Sequence, residues 1–245
     1  MPQHLRRGET VSPAHPESLA WVRAGEKKLD AALDALPETA VHQPSALPDW
    51  TRGHVLSHLA RNADALINLL TWARTGQRSP MYASPEQRNA DIDAGAPREL
   101  AEQRTDVRAS AERFLLAADE LTEQQWLVTV QSAQGREIPA ADIPWLRARE
   151  VWIHLVDLDA GIGADAWPDD FALALVHDVA GWMSGKLEAG TVLEPAGHPA
   201  VRLGPDSAEP AGTVSGTAND LAAWLTGRSD GARLHGSLPT LPRWL

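Results

Sequence analysis

At 245 residues with a formal charge of −11, the chain is long enough for one large domain or two small ones, each with a real core. It is too acidic to neutralise nucleic-acid phosphates or to dock on anionic lipid. The absence of cysteine excludes a disulfide, a thiolate metal ligand and a cysteine nucleophile, so any thiol chemistry must use a thiol brought from outside.

The first 160 or so residues read as helices. Leu29, Leu33 and Leu36 recur at helical spacing and Pro37 closes that segment. A second helix is expected from Arg52 to Thr75, with Val55, Leu59, Leu66 and Leu70 as its apolar stripe and Gly76 as its stop. Ser84-Pro85-Glu86-Gln87 has the form of a capping box opening a short helix. Pro97 opens a longer one that carries Leu100, Val107, Ala111, Phe114, Leu115 and Ala118. Trp126, Val128 and Val130 alternate with Leu127, Thr129 and Gln131, and with the Gln134-Gly135 turn they predict a short strand or hairpin. Another helix runs from about Ala140 to Ala160 and stops at Gly161. Four long amphipathic helices with short connections predict a four-helix bundle.

Beyond Gly161 glycine and proline become frequent. A helix is expected over 169–188 on Phe171, Leu175, Val179, Met183 and Leu187. Short strands are expected at 200–203 and 212–215, a helix starting at Thr217 and ending at Gly227, and a last strand at 232–235. This composition predicts a small α+β unit with its boundary near residue 165. No run of about 18 apolar residues is present to span a bilayer. The start, Met1 to Arg7, lacks the apolar stretch of a signal peptide, so a cytoplasmic location is expected. Ten Trp stand against one Tyr and two Phe, a skew that a high-GC genome or an aromatic-lined cleft would produce.

Of the histidines, His4, His15, His42, His177, His198 and His235 stand alone and read as surface or locally satisfied imidazoles. Two i, i+4 pairs differ from these: His54 and His58 on the second helix, Glu150 and His154 on the fourth long one. That spacing puts both side chains of a pair on one helix face. Metal sites in bundles are built from such inward residues, and two imidazoles with one carboxylate suit Zn²⁺ while leaving a coordination position open. The apolar stripe favours His58 as the inward member, with His54 left to contact substrate or support the site. Two simpler explanations stay open at this point. Glu150 and His154 would make an intrahelical hydrogen bond with His58 as a core histidine, or Glu150 would pair at the surface with Arg147 or Arg149.

Pro48-Asp49-Trp50-Thr51-Arg52-Gly53-His54-Val55-Leu56-Ser57-His58-Leu59-Ala60 resembles the Trp-Thr…His-Leu-Ala signature of DinB-like metal-binding bundles. Arg149-Glu150-Val151-Trp152-Ile153-His154-Leu155-Val156-Asp157-Leu158 resembles a signature of the mycothiol-dependent maleylpyruvate isomerases. Further likeness lies in Pro80 to Asn89, Ala133 to Arg136, Gly227-Arg228-Ser229-Asp230-Gly231 and the terminal Pro242-Arg243-Trp244-Leu245. The resemblance implies an α+β protein, a DinB-like four-helix bundle over 1–165 and a smaller α+β domain over 166–245. It implies a divalent metal, normally Zn²⁺, on His58, Glu150 and His154, and mycothiol as thiol cofactor. The implied reaction is the cis–trans isomerisation of maleylpyruvate to fumarylpyruvate in the gentisate pathway of aromatic degradation.

Such a reaction needs a thiolate that adds to the double bond, allows rotation and leaves. A metal-bound thiol is deprotonated at neutral pH, which meets that need. Because the substrate is a dianion and the protein is acidic, local cations must reverse the field, and Arg88 and Arg228 are the candidates for binding and catalysis. Tyr82 is a candidate hydrogen-bond donor to substrate, and Asp157 a candidate support for His154. The expected partners are a small-molecule substrate and a thiol cofactor, with the oligomeric state open and a monomer allowed. The rival functions are a mycothiol S-transferase, or another thiol-dependent enzyme on the same bundle, and a non-enzymatic metal- or ligand-binding protein.

Overall fold

A computed structural model of the chain describes residues 12–244 apart from 206 and 208; His4 and Leu245 lie outside the described residues. It is an α+β protein that divides into two units, Pro13–Ile162 and the segment from Gly163 onward.

The first unit is built on four long helices: α1 (His15–Ala35), α2 (Arg52–Thr75), α4 (Leu100–Asp119) and α6 (Ile143–Asp157). Around the bundle α2 packs against both α4 and α6, and α1 packs against α6 and, more lightly, α4. The stripe Val55, Leu59, Leu66 and Leu70 is fully buried, as are Leu29 and Leu33 of α1. Seven of the ten tryptophans, Trp21, Trp126, Trp145, Trp152, Trp167, Trp224 and Trp244, are buried. Most of the tryptophan skew therefore serves core packing. The helix over Arg52–Thr75 has the predicted bounds, with Thr51 as N-cap and Gly76 at φ 73° as its left-handed stop.

A short helix α3 (Pro85–Gly95) lies against α2, its first turn capped by Ser84 Oγ accepting from the Gln87 N–H. The contact is close because two glycines allow it. A Cβ on Gly53 would sit 2.1 Å from the Ala96 carbonyl oxygen, and one on Gly95 would sit 2.2 Å from Ser57 Oγ. Buried Gln103 of α4 fastens the junction by donating to the carbonyls of Gly53 (3.1 Å) and Gly95 (2.7 Å). The start of α2 is tied to the end of α6 by Arg52, which donates to the carbonyls of Leu158 (2.7 Å) and Asp159 (2.5 Å). These two junctions fix α3 and α6 relative to α2, and all three helices contribute to the site.

Several boundaries differ from the expectation. The helix expected from Pro97 starts at Leu100, because Pro97 lies in the connection whose Glu99 is the N-cap. Trp126 is not in a strand. Thr122 and Gln125 form a capping box over the one-turn helix α5 (Glu123–Trp126), and the hairpin is β1 (Thr129–Gln131) with β2 (Glu137–Pro139). Before α6 a 3-10 turn occupies Ala140–Asp142.

In the second unit α7 (Asp169–Ser184) ends four residues earlier than expected, and Leu187 lies beyond it. The sheet has the order β4-β3-β5-β6, formed by β3 (Gly190–Pro195), β4 (Val201–Leu203), β5 (Pro210–Gly216) and β6 (His235–Gly236). β3 pairs antiparallel with β4 and parallel with β5, so an interior strand that the sequence reading missed organises the sheet. Thr217 caps α8 (Ala218–Leu225), which packs on α7. Among the described residues no helix is long and apolar enough to cross a membrane.

Gly53→Ala is expected to remove about 1–3 kcal/mol from the stability of the first unit, because the added methyl meets backbone that cannot yield. Denaturant unfolding followed by tryptophan fluorescence checks this. A lowered midpoint is expected, and an unchanged midpoint would contradict the close-packed junction.

Candidate functional site

His58 and Glu150/His154 come from facing helices, α2 and α6, and their side chains converge. His58 Nε2 lies 2.8 Å from Glu150 Oε2 and 3.1 Å from His154 Nε2, and the His154 Nε2 to Glu150 Oε2 distance is 3.3 Å. The two imidazoles meet edge to face, with centroids 4.7 Å apart. All three offer a ligand atom to one point, a grouping that could hold a metal ion. Among the described residues no other set of three or more acidic or imidazole side chains does so.

The surroundings fit a cation. Buried Asp157 places Oδ2 2.8 Å from His154 Nδ1, so that carboxylate holds the Nδ1 side of the ring and turns Nε2 to the cluster. Burial works against the Glu150 carboxylate, but hydrogen bonds from His154 and His58 outweigh it and hold its pKa well below the usual range. Burial also opposes a charge on His154, yet the bonds to Asp157 and Glu150 win and raise its pKa. His58 is lowered, chiefly by burial, with Glu150 pulling the other way. One carboxylate held as an anion between two imidazoles is a donor set suited to a divalent ion of the zinc type.

α3 brings a cation to the edge of this cluster. Arg88 Nη2 lies 3.2 Å from His58 Nδ1, and the guanidinium carbon is 5.7 Å from the centre of the Tyr82 ring. Tyr82 is mostly buried, which pushes its pKa up, and the charge of Glu150 adds to that. Trp50 covers another side, its ring 5.7 Å from that of His58. The chain reaches Trp50 through Asp49 at φ 64°, and Ser45 Oγ donates to the Trp50 carbonyl at 2.9 Å.

His54 is not brought into the cluster. Its Nδ1 accepts from the Thr51 N–H at 3.1 Å, completing a capping box on α2, and its Nε2 faces Asp93 at 3.9 Å. The ring stacks on Trp50. Arg147 is not a surface partner of Glu150; it is fully buried and paired with Glu26. Arg228 lies in the second unit, at a cavity of about 260 Å³ that also borders Asp165, Ser229, Asp230 and Arg233, and its Nη1 donates to the Thr226 carbonyl.

Sequence reasoning passed over Trp50, Asn62 and Arg147. Asn62 was detectable as the residue four beyond His58 on the same helix face, and Arg147 as a charge inside the apolar run of α6.

Residues 22–159 match the family model described as the mycothiol maleylpyruvate isomerase N-terminal domain. No curated protein matches the chain. The chain is similar in structure to a crystal structure of the mycothiol-dependent maleylpyruvate isomerase, with a TM-score of 0.86 and 32% identity over 95% of this chain and 98% of that one. A crystal structure of a histidine-to-alanine mutant of the mycothiol-dependent maleylpyruvate isomerase is similar at a TM-score of 0.85, with the same identity and coverage. The geometry built from α2, α3 and α6 therefore sits in a chain that belongs to the mycothiol-dependent maleylpyruvate isomerase family.

Proposed function

We propose that the protein catalyses the cis–trans isomerisation of maleylpyruvate to fumarylpyruvate with mycothiol as the thiol, and that His58, Glu150 and His154 hold the Zn²⁺ or other divalent metal it needs. The observation that carries this reading is the convergence of those three side chains beside a cation, Arg88, in a chain without a thiol of its own. When bound there, the metal supplies the positive charge that keeps the cofactor's thiol ionised at neutral pH.

The chain's own residues do the rest. Asp157 holds His154 in the tautomer that presents Nε2 to the cluster. Arg88 receives a substrate carboxylate, and its forked donors orient the planar group so that the double bond faces the thiol. Thiolate addition at one alkene carbon moves the π electrons toward the ketone, rotation about the single bond follows, and expulsion of the thiolate restores the alkene in the trans form. Tyr82, kept neutral by burial, hydrogen-bonds the ketone oxygen as it gains charge. Trp50 shields the His58 side of the cluster from water. For Arg228 the support is the Gly227-Arg228-Ser229-Asp230-Gly231 motif and its position at the cavity of the second unit; it is proposed as a second carboxylate-binding cation.

The direct assay follows the absorbance of maleylpyruvate with the metal-loaded protein. Conversion is expected only when mycothiol is added; no conversion with metal bound would contradict the isomerase reading. His58→Ala and His154→Ala are each expected to abolish stoichiometric metal content, measured by elemental analysis of purified protein, and retained metal would remove the ligand assignment. Arg228→Ala is expected to keep its metal and lose roughly 10- to 100-fold in kcat/KM, the worth of a charge-assisted pair. Unchanged kinetics would leave Arg228 outside the reaction.

A further inference from the structure

The three converging side chains lie between two arginines, each of which reaches from one helix to the backbone of the other. α2 and α6 run antiparallel, with Arg52 at the start of α2 meeting Leu158 at the end of α6. Along α2 the order is Arg52, His58, Leu59 and Asn62. The facing order on α6 is Leu158, His154, Glu150 and Arg147. From Arg52 to Leu59 is about 10 Å of helix, and His58 falls inside that span.

The first clamp belongs to α2. Arg52 donates Nε and Nη2 to the Leu158 and Asp159 carbonyls at 2.7 and 2.5 Å. Carbonyls at the end of a helix have no partner within it, so a guanidinium there satisfies acceptors that would otherwise need water. The second clamp belongs to α6. Fully buried Arg147 donates Nη1 to the Leu59 carbonyl at 2.7 Å and to Asn62 Oδ1 at 3.0 Å. Its Nε and Nη2 donate to Glu26 Oε1 of α1 at 3.0 and 2.7 Å. All three guanidinium nitrogens are engaged, and the planar fork fixes where Nη1 points. α1 holds Glu26 in turn. A Cβ on Gly25 would sit 2.9 Å from Val151 Cγ1, so α1 lies tightly on α6 beside the pair, and Trp152 Nε1 donates to the Trp21 carbonyl at 3.0 Å.

We propose that Arg52 and Arg147 are positioning residues for the metal centre, two clamps that hold the ligand-bearing helices in register on either side of it. A slip or separation of α6 against α2 would carry Glu150 and His154 away from His58, and each clamp opposes it from its own side of the cluster. Both clamps end on main-chain carbonyls, so they fix the helices themselves and not only side-chain rotamers. Ion binding then does not have to bring the helices together, and its affinity is not reduced by that reorganisation. The proposal rests on the assignment of His58, Glu150 and His154 as ligands.

Zinc affinity, measured by competition with a chromophoric chelator, tests it. Arg52→Met removes the first clamp and keeps an apolar stem. Glu26→Met combined with Arg147→Met removes the second and leaves no buried charge unpaired, an exchange that folded proteins often tolerate. Each is expected to raise the zinc Kd roughly 10- to 100-fold, read under conditions where denaturant unfolding shows the metal-free variant to be folded. Phe114→Leu trims the buried core on α4, which contributes to neither clamp, and is expected to leave the Kd unchanged, as general loosening of the bundle would not. Bound Co²⁺ adds a spectroscopic readout. Its visible band is expected to change in both clamp variants and to stay as in the wild type in Phe114→Leu. Arg52 is 16% exposed, so Arg52→Met carries the test if the paired variant does not fold. An unchanged Kd in a folded clamp variant, or an equal loss in Phe114→Leu, would overturn the proposal. Wild-type protein that binds no zinc would be a different failure, that of the ligand assignment itself, and the proposal would fall with it.

Discussion

A fully buried guanidinium sets the geometry on which the first unit depends. Arg147 has no access to water, and an isolated charge in that position would cost several kcal/mol. Its donors therefore have to meet acceptors on two other helices, Glu26 on α1 and both Asn62 and the Leu59 carbonyl on α2, which ties three helices together. Sliding α6 along α2 by a turn would strand that charge. The same register puts Glu150 and His154 opposite His58, so the layer that satisfies one buried cation prepares, one turn away, a place for another.

Electrostatics at the site runs against the protein's overall character. A chain at −11 repels anions, yet the groups gathered near the start of α2 form a local exception. Glu150 is held ionised by two imidazoles, His154 is supported by buried Asp157, and Arg88 reaches the far side of His58 from α3. The glycine junction at Gly53 and Gly95 allows α3 to approach closely enough for that contact. Fold and site are thus linked through small residues and one arginine more than through the apolar stripe, which would tolerate other arrangements.

The parts of this arrangement that were legible in the sequence are those carried by helical periodicity. Two i, i+4 pairs pointed to His58, Glu150 and His154, and the cap and stop of α2 were readable from Thr51 and Gly76. Spacing alone could not tell an intrahelical bond from a shared cluster, because that depends on which helices face each other. His54 fits the same pattern as His58 but is consumed by the capping box, a local competition that periodicity does not register. Asn62 and Arg147 escaped notice because a buried polar pair is defined by partners from distant segments. In the second unit β3 was missed because Gly190 and Pro195 at its ends, and Glu194 within it, look like a loop; its strand character comes from β4 and β5 on either side.

The absence of cysteine, which at first excludes thiol chemistry from the chain itself, acquires a positive meaning beside this site. In the proposed reaction the protein offers the ligands, the orienting cation and the hydrogen-bond donor, and the nucleophile arrives with the cofactor. The account therefore stands on the metal centre. Crystals of the protein loaded with zinc, with diffraction recorded on both sides of the zinc absorption edge, test it most directly. The account predicts an anomalous peak bonded to His58 Nε2, His154 Nε2 and the Glu150 carboxylate; a peak bonded to other residues, or none at these three, would contradict it.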